Sequence, residues 1–537
     1  MIEHISENDV SVNRATNPSV IEYSPVFNVA AVMIDRHLNQ GRGNCPAIIN
    51  ADAGPGTEAR NPITYQQLAD RVNRCGNLLH SLVSKPRGRI LMVVKDCPEF
   101  FFVFWGAIKA DLIPVPLNTL LRSDDYRFMI EDSECVGVIY SPEYQSEVTL
   151  GLAASNHQPD FILCTEGSNG VAELLEEYSP HLDPATTTPD TECFWLYSSG
   201  STGRPKAAVH RHQDIIATCV HYAEDSLGIV QSDICFSAAK LFFAYGLGNA
   251  MTFPLWVGGT TVLSSQRPSP DMTFNIIEEY CPTIYFGVPT LYAAQLRALD
   301  DCPRDFSSIR FCVSAGEALP SDIFRRWEKI TKTLILDGIG STEALHIFIS
   351  NTMIDHRPGT SGKPVPGYRV KILNDEGYPV QAGEAGRLLI QGDSTSTRYW
   401  NNPQKTSETM IDGWLNTGDT YFEDDDGYFI YCGRSDDMLK VGGIWCSPVE
   451  IENSLIEHPK VLEAAVVGRP DRDELIKPEA FVVLNRPGDA SSELADDLLK
   501  HCQDRLARYK YPRWVNFVDE LPKTATGKIQ RFKLRSN

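Results

Sequence analysis

Ile90-Leu91-Met92-Val93-Val94 is a short run that is apolar without alternation, residues 98–110 read as a helix, and residues 112–117 form a second apolar run. A strand that is apolar on both faces must be covered on both, and a helix between two strands is the connection a parallel pair requires. The spacing therefore predicts a parallel βαβ unit and an α/β fold whose sheets are flanked by helices. The alternation continues through strand-like runs at 136–140, 161–164, 194–197, 234–237, 260–263, 283–286, 309–313 and 334–336. Helical patterns fall at 271–280, 290–299 and 321–330, and Thr64-Tyr65-Gln66-Gln67 is a capping box opening a helix with Leu68, Val72, Leu79 and Leu82 on one face. Residues up to about 60 read as loop-rich.

From about Tyr368 the pattern changes to short strands with tight turns, predicting a small β subdomain over about 368–433. Gly433-Arg434-Ser435-Asp436-Asp437 is the expected boundary, so that residues 1–433 form a large region of several subdomains and 434–537 a small α+β C-terminal domain. The latter has strands near 464–467 and 480–484, a helix near 492–506, and the polar run Pro522-Lys523-Thr524-Ala525-Thr526-Gly527-Lys528. A chain of 537 residues is too long for one ordinary core. The acidic run 424–426 reads as solvated turn residues.

A net charge of −21 disfavours nucleic-acid binding, because that partner is itself anionic. The start of the chain lacks the basic-then-apolar pattern of a secretory signal, and no apolar stretch is long enough to span a bilayer. The fourteen cysteines include no Cys-x-x-Cys pair, and Cys235, Cys312 and Cys432 read as reduced core thiols of a cytoplasmic protein.

Four segments of unusual composition each follow an apolar run: 198–206, 242–248, 314–317 and 337–343. In open α/β sheets ligands gather at the carboxyl ends of strands, so these segments are expected to converge on one site. The first, Ser198-Ser199-Gly200-Ser201-Thr202-Gly203-Arg204-Pro205-Lys206, is rich in donors. Its glycines let backbone N–H groups turn toward an anion, its hydroxyls add donors and Lys206 adds a charge, ahead of a polar segment predicted helical. The spacing is not that of the Walker motif.

This stretch resembles the phosphate loop of the adenylate-forming enzymes, the acyl- and aryl-CoA synthetases and their relatives, and further matches follow in order along most of the chain. The resemblance implies ATP and CoA as co-substrates. It implies that Thr202 and Lys206 hold phosphates, that Thr342 contacts phosphate and that Glu343 binds Mg²⁺, which needs few protein ligands. Asp419 of Asn416-Thr417-Gly418-Asp419 and Arg434 would reach the ribose. Ala315, Gly316 and Glu317 with Asp337, Gly338 and Ile339 would enclose adenine, although Ile339 stands where most relatives carry an aromatic ring. Ala207 stands where glycine is usual. Lys528 would be the catalytic lysine, bridging the acid and the α-phosphate. The C-terminal domain would then rotate about Asp436, bringing Lys440-Val441-Gly442-Gly443 to the site, where Gly442 and Gly443 would leave room for pantetheine; these two glycines read equally well as a simple turn.

Within the family, Lys240-Leu241-Phe242-Phe243-Ala244-Tyr245-Gly246-Leu247-Gly248 and the segment from Gly338 to Phe348 resemble the benzoate-CoA ligase branch. This resemblance implies an acid pocket of Ala244, Tyr245, Gly340, His346 and Ile347, with Phe243 at the mouth of the pantetheine channel. Small Ala244 and Gly340 beside Tyr245 leave a slot for one planar ring. Tyr245 and His346 bring polar tips for a ring amino or hydroxyl group, and read equally as a hydrogen-bonded core pair. The expected acid is benzoate, followed by 2-aminobenzoate or a hydroxybenzoate. Two other functions remain open, an enzyme loading an aryl group onto a separate carrier protein and an ATP-binding regulator without turnover.

Overall fold

The structure is a computed structural model and describes residues 5–54, 60–83, 85–198, 204–441, 444–472, 475–508, 510–523 and 529–535. The first apolar run becomes the strand Arg89–Val93, which pairs in parallel with Ile113–Pro116 on one side and Gly137–Tyr140 on the other; Phe161–Cys164 completes a four-stranded sheet. Ile90 to Val93 are all buried, as a strand covered on both faces must be. The connecting helix Pro98–Lys109 opens on a proline, whose missing N–H costs nothing in the first turn. It is buried all round, so Lys109 at its end needs partners, and it finds Asp35 and Asn73, each at 2.7 Å. The helix Tyr65–Leu82, opened by the expected Thr64–Gln67 capping box, crosses it where two glycines meet. A Cβ added to Gly106 would lie 2.8 Å from the Gly76 nitrogen.

The strands expected at 234–237, 260–263, 283–286, 309–313 and 334–336 join one nine-stranded sheet. In spatial order it runs Lys363–Pro364, Ile347–Ser350, Ile335–Gly340, Phe311–Ser314, Ile284–Gly287, Ile234–Ser237, Thr260–Leu263, Pro46–Asn50 and Ile63–Thr64. Its six central strands are parallel and its edges are antiparallel. Pro46–Asn50 corrects the loop-rich reading of the N-terminal residues. Only Ala47 and Ile48 of that strand are buried, too short a run to carry a periodic signal, and pairing with Thr260–Leu263 orders it.

The hairpin Glu192–Ser198/Lys206–Arg211 brackets the candidate phosphate loop. Trp195, Ala207 and Val209 pack it onto the four-stranded sheet. The segment after Lys206 is therefore a strand, not the helix expected. Its buried side chains Ala207, Ala208, Val209 and His210 run without a break, and the helix His212–Thr218 begins only after them.

Arg369–Leu373, Gly386–Gln391, Met410–Ile411, Trp414–Glu423 and Phe429–Arg434 form the antiparallel β subdomain. Its inner residues Leu388, Ile390, Tyr421 and Phe429 belong to the main core. Asp424 and Asp426 in its turn are not simply solvated, since Arg357 bonds both at 2.6 and 2.7 Å.

Beyond Leu439 the chain forms a three-stranded sheet, Val461–Pro470, Ile476–Leu484 and Trp514–Phe517, with the helices Pro448–Ile456 and Ser492–Gln503. Two apolar clusters hold it together, and neither draws a residue from before Leu439. Among the described residues no helix is long and apolar enough to cross a membrane. All fourteen cysteines are free, and burial pushes the Cys312 and Cys432 thiols up to about 12.

Candidate active site

Ser199, Gly200, Ser201, Thr202 and Gly203 lie outside the described residues, as do Gly442, Gly443 and Lys528. The two ends of the phosphate loop are described. Ser198 and Lys206 face each other across the hairpin, so the loop leaves and re-enters at one point. Ser198 Oγ donates to Glu343 Oε1 at 3.0 Å, and Tyr399 OH donates to the same oxygen at 2.7 Å. Lys206 Nζ stands 4.7 Å from the centre of the Tyr399 ring. Burial lowers the Lys206 pKa, the nearby Glu343 carboxylate opposes that, and Lys405 and Arg434 add to it. Glu343 Oε2 takes no donor among the described residues. One oxygen is thus fixed by the protein while the other is left for a cation, which fits Mg²⁺ carried in on phosphate oxygens.

Tyr399 was not legible as a site residue. It enters because residues 398–400 lie along the Lys206–Arg211 strand, with Val209 N bonded to Arg398 O and Trp400 N to Ala207 O. His210 is a second such residue. Buried on that strand, it holds the Thr342 carbonyl through Nε2 at 2.9 Å and Asp214 through Nδ1 at 3.1 Å.

Asp337, Gly338, Ile339 and Gly340 form the end of a strand rather than the expected loop, with a register shift between Ile339 and Gly340. The following turn puts Leu345 at φ 66°, a left-handed conformation costly for a side chain with a Cβ. Asp337 is buried and burial pushes its carboxyl up to about 8, with one oxygen taking a bond from Leu319 N at 3.4 Å and the other unpartnered among the described residues. It lines a cavity of about 410 Å³ whose other walls include Thr360, Ser361, Ile430 and Tyr431, and from the C-terminal residues Ser447, Glu450 and Lys510.

Ala315, Gly316 and Glu317 follow the strand Phe311–Ser314, and Glu317 Oε1 accepts from Ile529 N at 3.3 Å. That bond joins the segment just after Lys528 to a strand-end loop. Asp419 and Arg434 are paired residues of neighbouring strands, joined at 3.0 Å. Gly418, just before Asp419, has φ 73°, and a Cβ there would meet Arg434 Nη2 at 2.7 Å. Asp436 is exposed, in the turn between Phe429–Arg434 and the strand Leu439–Val441.

The segment 242–248 is helical from Ala244 rather than a loop, with Phe243 as its N-cap, partly exposed beside Phe242. Tyr245 OH lies 3.2 Å from both Gly287 O and Val313 O. His346 Nε2 stands 3.3 Å from Tyr245 O, and because a carbonyl only accepts, that nitrogen carries the proton. Burial pushes His346 down to about 3, so the ring is neutral, packed between Tyr222, Tyr245 and Phe253. The polar tips expected to meet a ring substituent are turned to the backbone. Ala244 and Ile347 are buried, and Gly340 is half-buried. Five segments distant in sequence are thus linked through Ser198–Glu343, Tyr245–Val313, Tyr245–His346 and Glu317–Ile529.

A donor-rich loop sequence, a fixed carboxylate, a lysine and a paired Asp–Arg at strand ends fit an enzyme class that uses a nucleotide to activate an acid, and the chain belongs to the AMP-binding enzyme family. The family model matches residues 35–400, and that of the AMP-binding enzyme C-terminal domain matches 450–528. Among particular proteins, the chain is 48% identical to a benzoate–CoA ligase of Thauera aromatica over 98% of both chains. Among solved structures it resembles the anthranilate CoA ligase AuaEII in complex with anthranoyl-AMP, at 40% identity and a TM-score of 0.91 over 95% of this chain and 97% of that one. It also resembles a benzoate CoA ligase from Burkholderia xenovorans LB400, at 43% identity and a TM-score of 0.88 over 95% and 100%.

Proposed function

We propose that the chain is an AMP-forming aryl-CoA ligase that activates benzoate or a close derivative. The observation that carries this reading is the convergence of Ser198, Lys206, Tyr399 and Glu343 at the mouth of one loop, with the segment bearing Lys528 tied to a neighbouring loop through Ile529 and Glu317. The relatedness to benzoate and anthranilate CoA ligases along nearly the whole chain supports it.

In the first half-reaction a carboxylate oxygen of the acid attacks the α-phosphorus of ATP, the bond to the β-phosphate breaks, and pyrophosphate leaves. In the second the thiol of CoA attacks the acyl carbonyl, loses its proton, and AMP leaves with the oxygen the acid contributed. Charge builds on phosphate oxygens in the first, so the protein's work is positioning and electrostatic stabilisation. Thr202, Lys206 and loop amides hold the β- and γ-phosphates, and Thr342 contacts the phosphate chain. Glu343, steadied by Tyr399 and Ser198, would hold Mg²⁺, which supplies charge neutralisation on the phosphates. Lys528 joins the acid to the α-phosphate. Asp419 and Arg434 take the ribose, and Ala315 to Glu317 with Asp337 to Ile339 enclose adenine beside the cavity at Asp337. Residues 434–537 form the mobile domain, turning about Asp436 to present Gly442 and Gly443 to pantetheine.

The acid slot is formed by Ala244, Tyr245, Gly340, His346 and Ile347, with Phe243 at the channel mouth. Because the Tyr245 hydroxyl and His346 Nε2–H are spent on carbonyls, the slot favours the unsubstituted ring. A missing or added group in such a slot is worth about 1–3 kcal/mol. AMP release measured with benzoate, the aminobenzoates, the hydroxybenzoates and a fatty acid, each with CoA, is expected to be fastest with benzoate. A fatty acid turned over faster than every aromatic acid would overturn the reading.

A further inference from the structure

A second hollow, of about 270 Å³, lies away from the strand-end loops. Its walls come from residues just ahead of three parallel strands: Arg42 before Pro46–Asn50, Val230 before Ile234–Ser237, and Trp256 before Thr260–Leu263. These strands start at this end of the sheet, so the hollow is on the side opposite the carboxyl ends where the candidate active site is built.

Three arginines and one carboxylate line it, Arg14, Arg36, Arg42 and Glu224. Arg14 takes that carboxylate at 2.7 Å. Neither of the other two has a carboxylate partner among the described residues. Arg36 donates to Trp256 O at 2.5 Å and lies 4.3 Å over the Trp256 ring, while Arg42 Nε donates to His37 Nδ1 at 2.9 Å. His37 therefore adds no charge; burial and then the two guanidiniums push it down to about 3. Burial and then the Arg42 charge also push Arg36 down to about 10. Glu224, the carboxylate lining the hollow, is taken by Arg14, so in a chain of net charge −21 these two like charges have no salt-bridge partner of their own among the described residues. Such a place is stabilised by an anion, and guanidinium forks match phosphate oxygens in pairs.

We propose that this hollow is a binding site for a multiply charged phosphate group, separate from the site of chemistry, with Arg36 and Arg42 engaging its oxygens and Arg14 at the rim. The group is either free pyrophosphate or the phosphate end of an ester. Calorimetric titration of the full-length chain with pyrophosphate, and separately with AMP, tests this against Arg42→Gln and Val230→Glu; the latter keeps every arginine and adds a negative charge at an exposed position. One binding event of the unaltered protein is expected to weaken about tenfold or vanish in either folded variant, the size of one lost charge-assisted bond. AMP release in the ligase assay is expected to stay unchanged. Loss of a pyrophosphate event marks the free anion, and loss of an AMP event marks an ester. If every event of both ligands persists undiminished in both variants, or the unaltered protein binds neither, the proposal is overturned.

Discussion

Glu343 Oε1 accepts from both Ser198 and Tyr399, so the carboxylate proposed to hold the cation has little freedom to turn. Tyr399→Phe removes one bond to a charged group, about 1.5–3 kcal/mol, and is expected to slow adenylation about tenfold or more. Thioester formation from supplied aryl-adenylate should be unchanged, and stopped-flow assays of the two halves check this. Lys528→Ala is expected to abolish adenylation while leaving the thioester half largely intact; equal loss in both would assign the lysine another role. Asp337 makes a statement about stability and pH. Its carboxyl is raised from 3.8 to about 8 by burial, so the folded protein keeps a proton that the unfolded chain releases. Stability from this group is full below pH 3.8 and is lost as pH rises toward 8. Asp337→Asn is therefore expected to fall less in melting temperature between pH 5 and pH 8 than the unaltered chain, read by calorimetry.

At the scale of elements, the described residues on either side of 524–528 are clamped. Lys523 pairs with Glu463 at 2.7 Å and bridges to Ile529, and Arg531 grips the buried Glu452 at 2.7 and 3.0 Å. Arg531→Gln leaves that carboxylate buried without its cation, a cost of about 3–5 kcal/mol. We expect a lower denaturation midpoint and slowed adenylation, with Arg531→Lys restoring part of both. The crossing of Tyr65–Leu82 over Pro98–Lys109 has no such polarity: Gly106→Ala forces a methyl onto backbone and is expected to cost about 1–3 kcal/mol by urea titration. The parallel strands and their helices were legible because each is a continuous apolar run between polar turns. The strand Pro46–Asn50 was not, since its order comes from pairing, and neither was the strand after Lys206, whose sequence, Ala-Ala-Val-His-Arg, has no strong preference of its own. The same pairing brings Tyr399 to Glu343 from more than fifty residues away, a proximity no local pattern encodes. The candidate pocket residues were legible through family motifs, whereas the direction of the Tyr245 and His346 polar atoms depends on the carbonyls of Gly287 and Val313 and on the turn at Leu345.

For the whole molecule, the apolar clusters beyond Leu439 stand apart from the main core, and polar contacts tie the two parts together: Ile529 N donates to the Glu317 carboxylate at 3.3 Å and Ser447 Oγ donates to Cys432 O. The turning proposed for residues 434–537 between the two half-reactions would leave both apolar cores intact. The cavity at Asp337 lies at that seam, with walls from both parts. In the proposed reaction the acid's own oxygen becomes bonded to the α-phosphorus before CoA enters. Benzoate labelled with ¹⁸O in its carboxyl group, turned over with ATP and CoA, tests this by mass spectrometry of the products. One labelled oxygen is expected in AMP for each benzoyl-CoA formed. Unlabelled AMP, or label recovered in a phosphate product with ADP, would contradict it.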